Sequence, residues 1–158
     1  MSGSDDLSVA LELRLLAERY AIAVDTGDSA MFAGLFTPDG VLESPRGTYL
    51  GREELAGVPS MMQGLYARTH HGVVAMAPAI EGDKASARTH AYARHYYRAP
   101  DRREYCYEMT IVYEDEFRRT GEGWRLARRK LVMVGDATFL IGPLHKVTPS
   151  GVVDWRQV

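Results

Sequence analysis

The hydrophobic pattern of this chain changes period halfway along, and that change most restricts the folds open to it. In the first half apolar residues recur at helical spacing, whereas the second half alternates apolar and polar residues as strands do. Strands are predicted over residues 73–76, 85–97, 105–117 and 124–134. Short segments rich in Gly, Asp and Pro separate them, as is typical of turns. The second half is therefore expected to form a curled antiparallel meander.

The segment 85–97 shows the alternation most clearly. One face carries Ala85, Ala87, Thr89, Ala91, Ala93, His95 and Tyr97, and the other carries Arg88, His90, Tyr92, Arg94 and Tyr96. A concave face that is roofed by helices and leaves a cavity has room only for modest side chains, so the alanine face with His95 is predicted to point inward. Outward Tyr and Arg at this density are typical of protein interfaces. They predict a homo-oligomer, dimer or trimer, packed through the outer face of the sheet.

The first half is predicted to be mainly helical. An amphipathic helix is indicated by Leu13, Leu16, Ala17, Tyr20 and Val24, and a short second helix by Phe32, Leu35 and Phe36. Gly27 provides the stop between them. Short strands are predicted at 41–43 and 48–50, followed by a third helix that Gly57 and Pro59 interrupt, leaving Met61 and Met62 on a less regular segment.

Length and composition limit the class of protein. The 158 residues suit one domain, and a net charge of -2 with interleaved signs gives no basic stripe for nucleic acid. Cys106 is the only cysteine, which excludes an intramolecular disulfide and argues against a Cys-based zinc site. No apolar run approaches the roughly 20 residues of a membrane span, and the acidic N-terminus does not resemble a secretion signal. We expect a soluble cytoplasmic protein that binds neither membrane nor nucleic acid, with a domain at 1–138 and a packed tail at 139–158.

Five residues suggest proton transfer without a metal, namely Tyr20, Asp25, His70, His71 and His95. An imidazole titrates near neutrality and can act as a general base when a carboxylate orients it. Adjacent residues of a strand point to opposite faces, so one histidine of the pair is expected in the cavity, and His70 is favoured over His71. Structural roles stay open beside these, because Asp25 could be a cap and Tyr20 or His95 a hydrogen-bonded core residue.

Several short motifs together resemble one family. They are Tyr20-x4-Asp25-x2-Asp28, Leu35-Phe36-Thr37-Pro38-Asp39-Gly40, Gly47 with Gly51, Thr69-His70-His71, Gly82-Asp83-x-Ala85 and Gly123-Trp124-Arg125-Leu126-x-Arg128. Over about Leu7 to Asp136 the chain resembles the SnoaL-like branch of the nuclear transport factor 2-like superfamily. The resemblance implies an α+β fold, a cone-shaped, cystatin-like barrel in which three N-terminal helices pack on a strongly curved, mainly antiparallel mixed sheet.

Within that superfamily the pattern is most similar to cofactor-independent eliminating enzymes, namely scytalone dehydratase, bile-acid dehydratase and hexachlorocyclohexane dehydrochlorinase. The resemblance implies a catalytic dyad of Asp25 and His70, with Tyr20 as a cavity tyrosine and His95 as a second histidine. It places Arg128 as an anion anchor. Further substrate-binding residues are expected to be His71, Tyr97, Met61 and Met62. No cofactor or metal is expected.

Two related activities are disfavoured by the sequence. Ser44 occupies the position where ketosteroid isomerases carry their aspartate base, and the 85–97 strand has no acid for an epoxide-hydrolase pair. The leading hypothesis is therefore a lyase of the dehydratase type acting on a hydrophobic cyclic small molecule. A non-catalytic binding protein, or an isomerase or cyclase with the same dyad, stays open beside it.

Overall fold

The computed structural model describes residues 3–144, with only the backbone of residues 3 and 4. The helices of the described residues all precede the four long strands, which begin at Arg68. In chain order the elements are α1 (Gly3–Thr26), α2 (Ser29–Gly34), β1 (Phe36–Ser44), β2 (Gly47–Leu50), α3 (Gly51–Leu55), α4 (Gly57–Leu65), β3 (Arg68–Glu81), β4 (Lys84–Arg98), β5 (Glu104–Thr120) and β6 (Gly123–Leu140).

The six strands form one mixed sheet in the order β2-β1-β6-β5-β4-β3. Only β1 and β6 run parallel, and every other neighbouring pair is antiparallel. The sheet curls around the long helix α1 but does not close. The predicted fold class is confirmed, with the barrel open rather than sealed.

The core lies between α1 and the concave face of the sheet. The predicted inward residues of α1 are all buried, and Leu13 and Ala17 are fully inaccessible. On β4 the alanine face and His95 are buried, whereas Arg88 and His90 on the other face are exposed. The predicted orientation of this strand is therefore confirmed. Assembly through the outer face stays a prediction.

Three boundaries differ from those predicted. Phe36 begins β1 instead of extending α2, and His70 lies inside β3, which begins at Arg68. Met61 and Met62 are helical, because the break falls earlier, at Ala56. Pro59 does not end α4, since it lies in the first turn, where its missing N–H has no helical partner to lose.

The last strand is longer than the predicted strand over residues 124–134. β6 continues to Leu140, so Phe139 and Leu140 belong to the sheet and not to a separate tail. Residues 145–158 lie outside the described residues, and the packing of the tail stays a prediction. Within the described part of the chain, no helix is long and apolar enough to cross a membrane.

Candidate active site

A cavity of about 310 Å³ opens between α1, α4, the β1–β2 hairpin and the concave face of the sheet. This volume lies near the lower end of the range for small-molecule sites. Its apolar walls include Met61, Met62, Met109, Leu131 and Met133. Its polar lining includes Tyr20, Arg46, His71, His95, Tyr107 and Tyr113. Such a lining suits an apolar ligand that is oriented by a few polar contacts.

Asp25 lies in the last turn of α1, where the helix dipole disfavours a negative charge. Its carboxylate is compensated by three hydrogen bonds from β3. Thr69 Oγ1 donates to Oδ1 at 2.8 Å, the His71 backbone N–H donates to Oδ2 at 2.8 Å, and His71 Nδ1 lies 2.7 Å from Oδ1. Because β3 supplies all three, the end of α1 is tied to this strand through a single carboxylate.

A purely capping role for Asp25 does not match this geometry. The cap of α2 is Asp28, whose Oδ1 accepts from the Met31 backbone N–H at 2.9 Å. Gly27, with φ of +74°, ends α1 in the left-handed conformation that glycine adopts without strain. The helix stop and the next cap are therefore assigned to other residues, and Asp25 is left to face His71.

The structure places His71, not His70, beside Asp25 in the cavity. The side chain of His71 is 10% exposed and lines the cavity, whereas that of His70 is 58% exposed and its Nδ1 lies 4.0 Å from Asp25 Oδ2. Thr69 and His71 share the inward face of β3, so His70 between them points outward. The expectation that His70 is the cavity histidine is therefore wrong, because His70 lies on the outward face of β3 and His71 on the inward face.

The proton on this dyad can be assigned from its contacts. Burial alone would raise the pKa of Asp25, but the hydrogen bonds from His71 and Thr69 lower it below its ordinary value. The carboxylate is therefore ionised and accepts from Nδ1–H of His71. In the neutral form of His71 this hydrogen bond leaves the lone pair on Nε2, which is the tautomer a general base requires.

His95 lies next to the dyad on β4 and is 4% exposed. Its ring is 5.6 Å from the His71 ring at 90°, and its Nδ1 donates to the Tyr107 carbonyl at 3.3 Å. Burial, with the neighbouring His71 second, lowers the pKa of His95 to about 4. His95 is therefore neutral near pH 7, and its Nε2 offers a lone pair and not a proton.

The lowered pKa of His95 makes the free energy of unfolding depend on pH. The unfolded chain protonates this residue near its ordinary value of 6.5, but the native protein does so only near 4, so stability is lost as pH falls through this window. Between about pH 7 and pH 5 the wild type should lose about 1–2 kcal/mol more than His95→Gln. Urea unfolding of both proteins at the two pH values measures the difference. Equal losses would contradict a neutral buried His95.

Tyr20 forms the floor of the cavity together with Tyr113. Their rings lie 5.7 Å apart, and burial raises the pKa of Tyr20 to about 12. Beneath them Arg129 Cζ lies 4.4 Å and 4.2 Å from the two ring centroids. Arg129 in turn forms a fully buried pair with Asp115, with Nε–Oδ1 of 2.7 Å and Nη2–Oδ2 of 2.8 Å. Both phenols are thus neutral and can donate a hydrogen bond, and the guanidinium of Arg129 lies against both rings.

Arg128, the expected anion anchor, lies outside the cavity and pairs with Glu43 and Glu116. Simple alternation from the buried Trp124 would turn Arg128 inward. In the pairing of β5 with β6, however, the register shifts at Ala127, which inserts one extra residue. The shift turns Arg129 inward instead, so the arginine beside the cavity is one residue later than predicted.

The remaining predicted residues divide between two places. Met61 and Met62 line the cavity. Tyr97 does not, since its ring lies against those of Tyr66 and Tyr105 at 6.5 Å and 5.9 Å. Among residues 3–144 no group of three or more His, Cys, Asp or Glu side chains is arranged to hold a metal ion.

Several residues of the site were not expected from the sequence, among them Thr69, Tyr113, Arg129 and Arg46. Thr69 could have been found from its position two residues before His71, which puts both on one strand face. Tyr113 shares its strand face with Met109 and Ile111, a pattern that indicates only burial. Arg129 and Arg46 had no signal in the pattern, because a bulge and a hairpin turn decide where they point.

Comparison with known proteins identifies the family. Residues 5–130 match the SnoaL-like domain model, which spans most of the chain, and the protein therefore belongs to the SnoaL-like family. No curated protein sequence matches the chain.

Solved structures confirm the shared fold. The hexachlorocyclohexane dehydrochlorinase LinA-type3 from Novosphingobium barchaimii LL02 is 17% identical, with a TM-score of 0.75 over 94% of this chain and 100% of that chain. A candidate scytalone dehydratase from Novosphingobium aromaticivorans DSM 12444 is 17% identical, with a TM-score of 0.76 over 89% and 94%. The Kfla4162 protein from Kribbella flavida is 21% identical, with a TM-score of 0.74 over 81% and 92%. At these identities the likeness establishes the fold alone.

Proposed function

We propose that this protein is a cofactor-independent lyase that eliminates water or halide from a hydrophobic cyclic small molecule. The observation that carries the proposal is the Asp25–His71 pair, with Nδ1 and Oδ1 2.7 Å apart, at the wall of an apolar cavity. The similarity of the fold to a dehydrochlorinase and a candidate scytalone dehydratase supports the choice of elimination.

The proposed reaction begins with proton removal by His71. Its Nε2 takes a proton from a ring carbon, the C–H electron pair forms the new double bond, and the bond to the β leaving group breaks. Asp25 keeps Nδ1–H in place and stabilises the imidazolium that forms. His71 then returns its proton to the departing hydroxide, giving water, or to solvent when the leaving group is halide.

The other polar groups are suited to holding the substrate. Tyr20 or Tyr113 can donate a hydrogen bond to a carbonyl or leaving-group oxygen, because high pKa values keep both phenols protonated. His95 is assigned the role of a hydrogen-bond acceptor, since its neutral Nε2 can accept a hydrogen bond from a substrate hydroxyl but has no proton to give.

The second candidate is an isomerase or cyclase that uses the same dyad. Both reactions begin with the same proton abstraction, and Asp25 and His71 serve either. Ser44, which also lines the cavity, leaves no carboxylate in the position of the ketosteroid isomerase base. This favours a histidine base for any such reaction.

The proposal is tested by turnover of small cyclic compounds in D2O. Hexachlorocyclohexane isomers, scytalone and a set of cyclic β-hydroxy ketones are first screened for binding by thermal shift, and every binder is then incubated with the protein. A lyase should release chloride or lose the mass of water. An isomerase or cyclase keeps the substrate mass apart from deuterium uptake. Compounds that bind but neither change mass nor exchange deuterium would instead identify a binding protein.

A further inference from the structure

Arg46 is the only permanently charged side chain among the described residues that line the cavity. It lies in the two-residue turn between β1 and β2, at the cavity rim, and is solvent-exposed. Neither the proton-transfer groups nor the apolar walls require a cation there. Its position therefore calls for a separate explanation.

The guanidinium of Arg46 is held in place from the opposite side of the opening. Its Nη2 donates to the hydroxyl of Tyr66, the residue that follows α4, and its Cζ lies 5.5 Å from the Tyr66 ring centroid. The Tyr66 ring in turn lies 4.6 Å from the ring of His95. This chain of contacts orients the cation toward the wall that carries the reacting groups.

Within the described part of the chain, no acidic side chain neutralises this cation. Arg128 pairs with Glu43 and Arg129 with Asp115, but Arg46 forms no ion pair with any Asp or Glu within residues 3–144. Its charge nevertheless reaches into the cavity, where it is one of the groups, after burial and His71, that hold His95 neutral. An unpaired cation beside an apolar cavity attracts an anionic substituent on a ligand.

We propose that Arg46 is a specificity-determining residue that binds a singly charged anionic group, a carboxylate or sulfonate, on an otherwise apolar ring ligand. The ring lies between the methionine and leucine side chains, and its anionic substituent lies at the rim against Arg46. The site thus prefers an apolar ring that carries one anionic substituent over the same ring without it. The inference rests on this cavity being the ligand site of the proposed function, but it concerns binding and not turnover.

A matched pair of fluorescent probes tests the proposal. Anilinonaphthalene sulfonate is an apolar ring system with one sulfonate, and phenylnaphthylamine is the same ring system without it. Affinities of both are measured by fluorescence titration for the wild type, Arg46→Gln and Arg19→Gln. Arg19 is an exposed arginine on α1 outside the cavity, so its variant changes net charge equally.

Arg46→Gln should weaken sulfonate binding about five- to tenfold and leave the neutral probe unchanged, because a charge-assisted contact is lost. Arg19→Gln should match the wild type, phenylnaphthylamine should displace the sulfonate, and added salt should weaken sulfonate binding only when Arg46 is present. The proposal is overturned if the sulfonate does not bind, if the neutral probe fails to displace it, or if Arg46→Gln and Arg19→Gln behave alike. Neither probe is turned over, so a negative elimination screen would leave this result standing.

Discussion

Asp25→Asn should reduce kcat/KM by about 10³- to 10⁴-fold on any substrate found in the elimination screen. The amide lacks the charge that stabilises the imidazolium of His71. Its one oxygen also cannot fill both acceptor positions: at Oδ1 it leaves the NH2 facing the His71 backbone N–H, and at Oδ2 it turns the NH2 toward Nδ1 and disfavours the Nδ1–H tautomer. His71→Gln should lose at least as much, because it removes the base itself. Steady-state kinetics on the purified variants, with thermal unfolding to confirm that they fold, measures the effect.

The neighbouring histidine supplies the matched control. His70→Gln changes the same residue type one position away, but its side chain is mostly exposed and more distant from Asp25. Its kcat/KM should stay within about twofold of the wild type. A His70→Gln loss equal to that of His71→Gln would contradict the assignment of the base, and a fully active Asp25→Asn would remove the dyad from the mechanism.

The fold was predictable because its signals are repeated many times along the chain. The alternation of β4 places six buried side chains on one face, and no single exception could reverse that pattern. Helical spacing in α1 likewise fixes which side faces the sheet, and therefore where Asp25 emerges at its end. The fold class and the approximate position of the acid follow from such redundancy.

The histidine and the arginine of the site were less predictable, because each depends on the register of one strand. Near its start β3 reads Thr69-His70-His71-Gly72, where no alternation of apolar and polar residues marks the inward side. In β6 a single bulge at Ala127 turns Arg128 outward and Arg129 inward. A one-residue shift turns every side chain that follows it to the opposite face of the sheet. The local sequence pattern does not indicate where such a shift occurs.

Arg129→Met should cost about 3–5 kcal/mol of the free energy of unfolding. The change leaves the Asp115 carboxylate fully buried with Thr89 Oγ1, at 2.7 Å from Oδ2, as its remaining side-chain partner. It also removes the cation between Tyr20 and Tyr113. For a domain of this size the midpoint of thermal unfolding should fall by about 10 °C or more. Calorimetry and urea unfolding measure both quantities.

A double-mutant cycle separates the ion pair from the packing around it. Asp115→Asn strands the buried cation and should also be strongly destabilising, but Asp115→Asn with Arg129→Met removes both charges. The double variant should therefore lose about 2 kcal/mol less than the sum of the single losses. Arg118→Met is the exposed control, because Arg118 pairs with Asp39 at 3.2 Å with both side chains about half exposed or more, and its loss should cost no more than about 0.5 kcal/mol. Additive losses in the cycle would show that side-chain volume, and not charge, makes Arg129 necessary beneath the two tyrosines.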